Sequence, residues 1–131
     1  MWQRIQTIFL IVSALAGVAY LFVPIAEVDQ LIIYGKSDVI STAIAIGVTL
    51  FSIFIIAQFK DRKLQMRCCI INILLAVALG GTSIFAAMQS SGNPNYVFAV
   101  GVPVLIIISL WLAYRNIKKD EDLVKSMDRF R

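Results

Sequence analysis

Four long stretches of the chain contain no charged residue, and this feature limits the possible folds more than any other. The stretches cover residues 8–23, 39–57, 70–88 and 97–112. Each is close to the roughly 20 apolar residues with which a helix crosses about 30 Å of hydrocarbon. Membrane-spanning strands would be about ten residues long with strict polar alternation, which these continuously apolar stretches lack. Since 60% of the residues are hydrophobic and only 15% are charged, we predict an all-α membrane protein.

The 131 residues leave room for a single domain. We predict an antiparallel four-helix transmembrane bundle with spans at about residues 5–23, 39–59, 68–88 and 96–114 and a tail at residues 115–131. Arg4 followed by an apolar run is also typical of a secretory signal peptide. That run is long for a signal core and no small-x-small cleavage site follows it. An uncleaved first helix is therefore the preferred interpretation.

Positive charge is distributed unevenly among the segments that join the apolar runs. Of the twelve Lys and Arg residues, only Lys36 lies between the first two runs, and the other eleven lie on the opposite side. By the positive-inside rule, both termini and the loop at residues 60–67 are predicted to be cytoplasmic. The residues expected to anchor this side and to contact anionic lipid headgroups are Arg4, Lys60, Arg62, Lys63 and Arg67. Nucleic-acid binding is disfavoured, because no aromatic residue interleaves the basic run.

Three segments on the predicted cytoplasmic side carry a family resemblance. They are "MWQRIQTIFL" at the start, "DRKLQMRCCIINILL" across the basic loop and "LAYRNIKKDEDLVKSMDRFR" at the end. In these segments the chain resembles an uncharacterised family of small four-helix inner-membrane proteins from Bacteroidetes-type bacteria, which carries only a domain-of-unknown-function label. The resemblance implies a bacterial origin and this membrane topology. It implies no activity and no catalytic residue.

Most of the residues that enzyme chemistry uses are missing. The chain has no histidine, so it offers no imidazole base, no imidazole metal ligand and no bis-histidine haem site. Cys68 and Cys69 are adjacent, without the spacing of a redox pair or a metal site, and we expect them to be small packing residues. Glu27 and Asp29 are expected to lie in a solvated loop rather than to act as an acid and a base. The sequence therefore predicts no enzyme activity, no metal and no cofactor.

Small and polar residues recur at helical spacing along three of the spans. In lipid, small residues allow helices to approach closely, and hydroxyl and amide groups form hydrogen bonds across helices. The residues expected to face inward are Gln6, Ser13, Gly17 and Tyr20 in the first span, Ser41, Ala45, Thr49 and Ser52 in the second, and Asn72, Ala76, Gly80 and Ser83 in the third. The alternative is that such residues are simply common in membrane helices. Pro103 is expected to kink the fourth span, whose bulky residues would face lipid or another protein.

The connection between the first two spans carries two local signals. Residues 31–34 are expected to form a short extended or interfacial piece that ends at Gly35. Ser37 or Asp38 is expected to cap the second helix, since both side chains accept hydrogen bonds from free amide groups of a first turn.

The tail is predicted to continue the fourth helix as an amphipathic helix. Its apolar residues gather on one side at 100° per residue, and they are Ile117, Leu123, Val124, Met127 and Phe130. Its six positive and four negative charges are mixed, which suits anionic lipid less well than a polybasic helix would. We expect the apolar face to dock on the cytoplasmic loop or on a partner protein. The alternative is that the tail lies on the membrane surface.

These observations favour a non-catalytic protein of the bacterial inner membrane, with both termini in the cytoplasm. The leading hypothesis is an accessory or scaffold subunit of a larger membrane assembly, in contact with the lipid bilayer and with an integral membrane protein partner or a second copy. A small homo-oligomeric transporter or pore is the alternative. It is less favoured because ionisable residues, which transport pathways usually contain, are missing from all four runs.

Overall fold

Four helices make up most of the structure, a computed structural model that describes residues 2–28, 31–89 and 97–130. They are α1 (Trp2–Tyr20), α2 (Val39–Ala57), α3 (Arg62–Gln89) and α4 (Val97–Arg129). Two short strands, β1 (Pro24–Val28) and β2 (Leu31–Tyr34), and a 3-10 turn (Gly35–Ser37) lie between α1 and α2. The prediction of four helices is confirmed.

The helices differ in how easily they would cross a membrane. Helices α2, α3 and α4 are long and apolar enough to do so. The apolar part of α1, Arg4–Tyr20, is shorter. It rises about 26 Å at 1.5 Å per residue, which is near the lower limit for a transmembrane helix. Of the four helices, α1 therefore has the apolar length closest to the minimum needed to cross a membrane.

The helices form a closed ring in which α1 packs against α2 and α4, and α3 packs against the same two. The residue pairs in contact across α1 and α2 include Ser13 with Ser52 and Gly17 with Thr49, and those across α2 and α3 include Gln65 with Ile55, Asn72 with Ser52 and Ser41 with Thr82. In each series the residue number rises on one helix as it falls on the other. Neighbouring helices are therefore antiparallel.

The outer surface of the ring is as apolar as its interior. Large residues such as Leu15, Leu50 and Leu74 are more than half exposed on three different helices. A soluble monomer rarely exposes contiguous apolar surface on this scale. In a bilayer the same exposure costs little, because lipid tails are as apolar as leucine. This surface and the three long apolar helices are those expected of a membrane protein.

The two strands form an antiparallel hairpin at one end of the bundle, with Val28 opposite Leu31 and Pro24 opposite Tyr34. Beyond the strands, the Gly35 amide donates to the Val23 carbonyl oxygen at 3.0 Å. A side chain at Gly35 would collide with the backbone carbonyl of Tyr20, so only glycine fits there. The extended residues 31–34 ending at Gly35 agree with the sequence, whereas β1, whose Ile25 is fully buried, was not predicted.

Two aspartates begin the helices that follow the connections. Asp38 caps α2, because its Oδ2 accepts hydrogen bonds from the Ser41 amide at 3.0 Å and the Ser41 hydroxyl at 2.6 Å. These bonds favour the carboxylate and hold the pKa of Asp38 below its ordinary value. Asp61 Oδ1 accepts from the Leu64 amide at 3.2 Å at the start of α3. Helix α3 thus begins at Arg62, before the span predicted at 68–88.

Helix α4 continues without a break from the membrane region into the tail. Its 33 residues include Pro103, which is buried within it. The kink at Pro103 stays a prediction. At 1.5 Å per residue the helix is about 50 Å long, well beyond the roughly 30 Å of a hydrocarbon core. The C-terminal part of α4 is therefore a rigid extension of the bundle.

Candidate functional site

A chain of buried hydrogen bonds joins three helices, and we call Ser13, Ser52 and Asn72 the buried polar seam. Ser52 Oγ donates to the Val48 carbonyl oxygen at 2.8 Å within α2. With its proton used there, Ser52 Oγ accepts from Ser13 Oγ at 2.9 Å and from Asn72 Nδ2 at 2.8 Å. The seam therefore fixes how α1, α2 and α3 are rotated and shifted relative to one another.

Asn72 is fully buried, and its amide is only half satisfied. Its Nδ2 lies 2.8 Å from Ser52 Oγ and 3.4 Å from the Val48 carbonyl oxygen, both of which act as acceptors. Its Oδ1 accepts no hydrogen bond from any residue that the structure describes. An unpaired acceptor in a dry interior costs free energy. The cross-helix hydrogen bonds of Nδ2 must therefore offset this cost.

A second set of hydrogen bonds lies nearer the hairpin. Ser83 Oγ donates to the Leu79 carbonyl oxygen at 3.0 Å, so the Tyr20 hydroxyl is the donor in its 2.7 Å bond to Ser83. This bond joins α1 to α3 across the ring. Ser41 Oγ also lies 3.1 Å from Thr82 Oγ1 and links α2 to α3. The polar side chains of the spans are thus used mainly to hold helices together.

The closest approach of two helices is at Gly17. A side chain there would collide with the Thr49 hydroxyl, and the Ala45 carbonyl oxygen would lie 3.4 Å away. Thr49 cannot move aside without losing its 2.9 Å hydrogen bond to that carbonyl. Gly80 is looser, since an added Cβ would lie 3.5 Å from Pro103 Cβ, an ordinary contact. The other predicted packing residues, Ala45, Ala76, Ser41 and Ser83, are fully buried.

An open cavity of about 480 Å³ lies between the hairpin and the outer ends of α2 and α3. Its lining is mostly apolar and includes Ile25, Ile33, Ile40 and Phe85. The polar exceptions are Asp38, Thr82 and Gln89. Asp38 is already engaged as the cap of α2, so the cavity offers no convergent set of polar groups for catalysis.

The five predicted anchor residues lie in different surroundings at the end of the bundle away from the hairpin. Arg62 Nε forms an ion pair with Asp120 Oδ2 at 3.2 Å, which joins the start of α3 to the extension of α4. Lys63 and Arg67 instead line a groove beside α4. Lys60 and Arg4 are exposed and line none of the cavities described above. Of the five basic residues, one therefore forms an ion pair, two line a groove and two are exposed elsewhere.

Beside that ion pair lies a small cavity of about 30 Å³ with a mixed polar and apolar lining. Gln6, Arg62, Gln65 and Asp120 contribute to its lining. Gln65 Nε2 donates to the Ile55 carbonyl oxygen at 3.2 Å, whereas the buried Gln6 Nε2 finds no acceptor among the described residues. Polar side chains from α1, α3 and α4 thus meet at the end of the bundle away from the hairpin.

The groove beside α4 has a volume of about 360 Å³, and we call it the basic groove. It is lined by Lys63, Met66, Arg67 and Ile70 from α3 and by Tyr114, Lys118, Glu121, Asp122 and Lys125 from α4. Four cations and two carboxylates give a net charge of +2. Lys125 Nζ is paired with Glu121 Oε1 at 3.0 Å. Within the described residues, the other three cations belong to no ion pair.

The apolar residues predicted to form the docking face of the tail also differ in how far they are buried. Ile117 is fully buried within the bundle. The exposed fractions of the remaining four are 51% for Leu123, 40% for Val124, 71% for Met127 and 93% for Phe130, and we call these four residues the tail stripe. Within the tail, Ile117 and Glu121 are buried and Asp120 forms an ion pair with Arg62, while the tail stripe stays uncovered.

The remaining candidates for chemistry are the two adjacent cysteines of α3 and the carboxylates of the hairpin region, which lie in different elements. Cys68 and Cys69 are buried and form no disulfide. In the described ranges, no three His, Cys, Asp or Glu side chains come together in a way that could hold a metal ion. Glu27 lies in β1, and Asp29 lies outside the described residues. No catalytic constellation is assembled from these groups.

A family model described as a domain of unknown function, DUF4293, matches residues 2–130 of the chain. The chain belongs to the DUF4293 family. The match includes all four helices and, except for Met1 and Arg131, the three segments that carry the resemblance. No curated protein and no solved structure matches the chain significantly.

Several residues of this DUF4293 chain, at the end of the bundle away from the hairpin, were not predicted from the sequence. Lys118, Lys125 and Tyr114 join Lys63 and Arg67 only because α3 and α4 lie side by side. The sequence shows Asp120 only as one of the mixed charges of the tail, and its ion pair with Arg62 was not predicted. One signal for the groove is present in the sequence. Lys63 and Arg67 are four residues apart, which places both basic side chains on one side of a helix.

Proposed function

We propose that this DUF4293 protein is a non-catalytic accessory or scaffold subunit of an assembly in the bacterial inner membrane. Both termini lie in the cytoplasm, and the tail stripe binds an apolar groove on a partner protein. The exposure of the stripe, at the end of the continuous helix α4 and left uncovered by the chain itself, is the observation that carries the proposal.

The length and continuity of α4 argue against a tail that lies on the membrane surface. The last apolar run ends near Tyr114, and at 1.5 Å per residue Leu123 lies about 13 Å further along the helix and Phe130 about 24 Å. The headgroup layer extends only some 5–8 Å beyond the hydrocarbon. A straight continuation of a spanning helix therefore carries the tail stripe past the lipid, where only a protein can cover it.

The spacing of the stripe matches one mode of protein recognition. Leu123, Met127 and Phe130 follow the i, i+4, i+7 pattern with which an amphipathic helix enters an apolar groove. Leu123 and Met127 are already held on a formed helix and Phe130 directly follows its last residue, so little conformational entropy is lost on binding. The partner expected is a protein with an apolar groove facing the cytoplasmic side of the membrane.

The interior of the bundle supports a scaffold more than a pore. The buried polar residues of the described spans are neutral, and they are Gln6, Ser13, Ser41, Ser52, Gln65, Asn72, Ser83 and Ser109. Most of their hydroxyl and amide groups bond to each other or to helix carbonyl groups rather than lining an open path. Transport pathways usually hold ionisable groups at this depth.

Aromatic residues beside cations support the membrane placement at both ends. Arg115 lies 4.9 Å from the ring centre of Trp111, and Lys36 lies 5.9 Å from that of Phe22 and 5.8 Å from that of Tyr34. Such pairs are typical of membrane–water interfaces. The two groups would then mark the cytoplasmic and outer boundaries.

The orientation is tested with single cysteines in a Cys68→Ala, Cys69→Ala background. In intact cells a membrane-impermeant maleimide is expected to label Lys36→Cys and to leave Lys63→Cys unlabelled until the cells are permeabilised, because the positive charges hold residue 63 inside. Labelling of Lys63→Cys in intact cells would show that the topology is the reverse of the one proposed.

The scaffold role is tested by purification in mild detergent of the protein carrying Leu123→Asp and Met127→Asp. This double variant lowers the net charge by two and removes the apolar stripe. Arg129→Asp, on the other side of the same helix, is the matched control because it also lowers the net charge by two. We expect the double variant to lose a protein that the wild type and the control both retain.

Two results would count against the scaffold proposal. If the double variant keeps every co-purifying protein, the stripe has no partner. If all variants form the same defined homo-oligomer with no other protein present, the transporter or pore becomes the better hypothesis.

A further inference from the structure

The basic groove differs from the tail stripe in chemistry and in position. It lies between α3 and α4, with Ile70 and Tyr114 toward the membrane and charged residues toward the cytoplasm. Lys118 and Lys125 lie on the side of α4 opposite Leu123 and Met127, at 100° per residue. The groove and the stripe can therefore be occupied at the same time, and a function for one does not require the other.

We propose that the basic groove binds one anionic phospholipid of the cytoplasmic leaflet. Its phosphate lies among Lys63, Arg67 and Lys118, and an acyl chain runs from there along Met66 and Ile70 into the bilayer. The lipid class is a glycerophospholipid with an anionic headgroup, such as phosphatidylglycerol or cardiolipin.

The depth of the groove matches that of a lipid headgroup. Arg67 is the last charged residue before the apolar run of α3, and Tyr114 lies at the end of that of α4. Because the two helices are antiparallel, the groove passes from apolar to charged at the membrane boundary on both walls. Tyrosine is typical of this level, since its ring is apolar and its hydroxyl is polar.

The charges of the groove favour an anion. Glu121 is already paired with Lys125, so Lys63, Arg67 and Lys118 face only Asp122 as an uncompensated carboxylate. The planar guanidinium of Arg67 can donate two parallel hydrogen bonds to phosphate oxygens, and the lysines add point charges. Basic pockets between membrane helices on the cytoplasmic side commonly hold anionic headgroups.

The apolar end of the groove favours a lipid over a soluble anion. Ile70 is about half exposed, in the membrane part of the groove where an acyl chain would cover it. A soluble phosphate compound would engage the cations and leave this part unused. The proposal therefore requires one ligand with both a phosphate and an acyl chain.

The test is native mass spectrometry of the purified full chain in detergent, titrated with dioleoyl phosphatidylglycerol or dioleoyl phosphatidylcholine. The groove variant is Lys63→Gln with Lys118→Gln. The matched control is Lys60→Gln with Lys119→Gln, which removes two exposed lysines from the same side outside the groove. We expect the wild type and the control to bind one phosphatidylglycerol with about five-fold preference, and the groove variant to lose that preference.

Three outcomes would overturn the proposal. Equal loss in the groove variant and the control would mean diffuse attraction to the whole cytoplasmic surface. Equal binding of both lipids by the wild type would mean that the groove does not select anions. Displacement of the bound lipid by millimolar glycerol 3-phosphate would mean that a soluble phosphate compound suffices. If the groove variant does not fold, Lys118→Glu alone is measured against Lys119→Glu with the same expectations.

Discussion

The two parts of α4 use the same kinds of residue in opposite ways. Before Tyr114, Ile106 and Leu110 are fully buried in the bundle, and Ile108 and Trp111 are half exposed on its outer side. After Ile117, the tail stripe is exposed beyond the bundle. Under the membrane placement proposed above, an exposed apolar residue in the first part would lie in lipid and cost little. In the second part it would lie in water, so its exposure would indicate a binding surface.

This difference predicts where the stability of the molecule lies. The membrane part of the bundle is held by close packing and by hydrogen bonds between helices, which are both sensitive to small changes. The tail after Ile117 is held by its own helix and by a few contacts with α3. Substitutions should therefore have large effects in the bundle and small ones in the tail.

The largest effect is expected from Gly17→Leu. The leucine side chain would have to displace Thr49 from its hydrogen bond and separate α1 from α2, and overpacking of this kind costs about 2–3 kcal/mol. Gly47→Leu is the control, since nothing lies within 4 Å of an added Cβ there. Unfolding in detergent measures both free energies. Equal losses for the two variants would show that α1 and α2 are not in close contact at Gly17.

A smaller loss is expected from Asn72→Ala, which removes the amide from the buried polar seam. Hydrogen bonds between membrane helices contribute on the order of 1 kcal/mol each, so the expected cost is about 1–2 kcal/mol. Ser109→Ala is the control, because the Ser109 hydroxyl bonds only to the Leu105 carbonyl oxygen of its own helix. A control variant as unstable as Asn72→Ala would mean that the cross-helix bonds contribute nothing particular.

The sequence predicts this bundle well where hydropathy and helix geometry are sufficient. The four charge-free runs locate the four helices, and the spacing of small residues places Gly17, Ala45 and Asn72 toward the interior. Hydropathy predicts which residues are apolar enough to lie in a membrane, however, and does not predict where a helix begins. For that reason α3 begins at Arg62, before its predicted span at residue 68.

Other features depend on how separate segments meet, which one sequence does not contain. Strand β1 has no alternating pattern, and it forms because β2 pairs with it and Ile25 is buried beneath. The basic groove requires a particular rotation of α3 against α4, set by contacts such as Gly80 with Pro103. Counting charges loop by loop therefore found Lys63 and Arg67 but not their neighbours on α4.

The smallest effect is expected from the ion pair that joins the tail to α3. Arg62→Gln, Asp120→Asn and the double variant form a mutant cycle whose coupling free energy should be about 0.2–1 kcal/mol, because both side chains keep partial contact with solvent. The coupling should fall further as salt is raised from 0.05 to about 0.5 M, since counterions screen exposed charges. A coupling above roughly 2 kcal/mol that salt does not change would show a tightly docked tail. The tail would then belong to the bundle, and the contrast between the two parts of α4 would disappear.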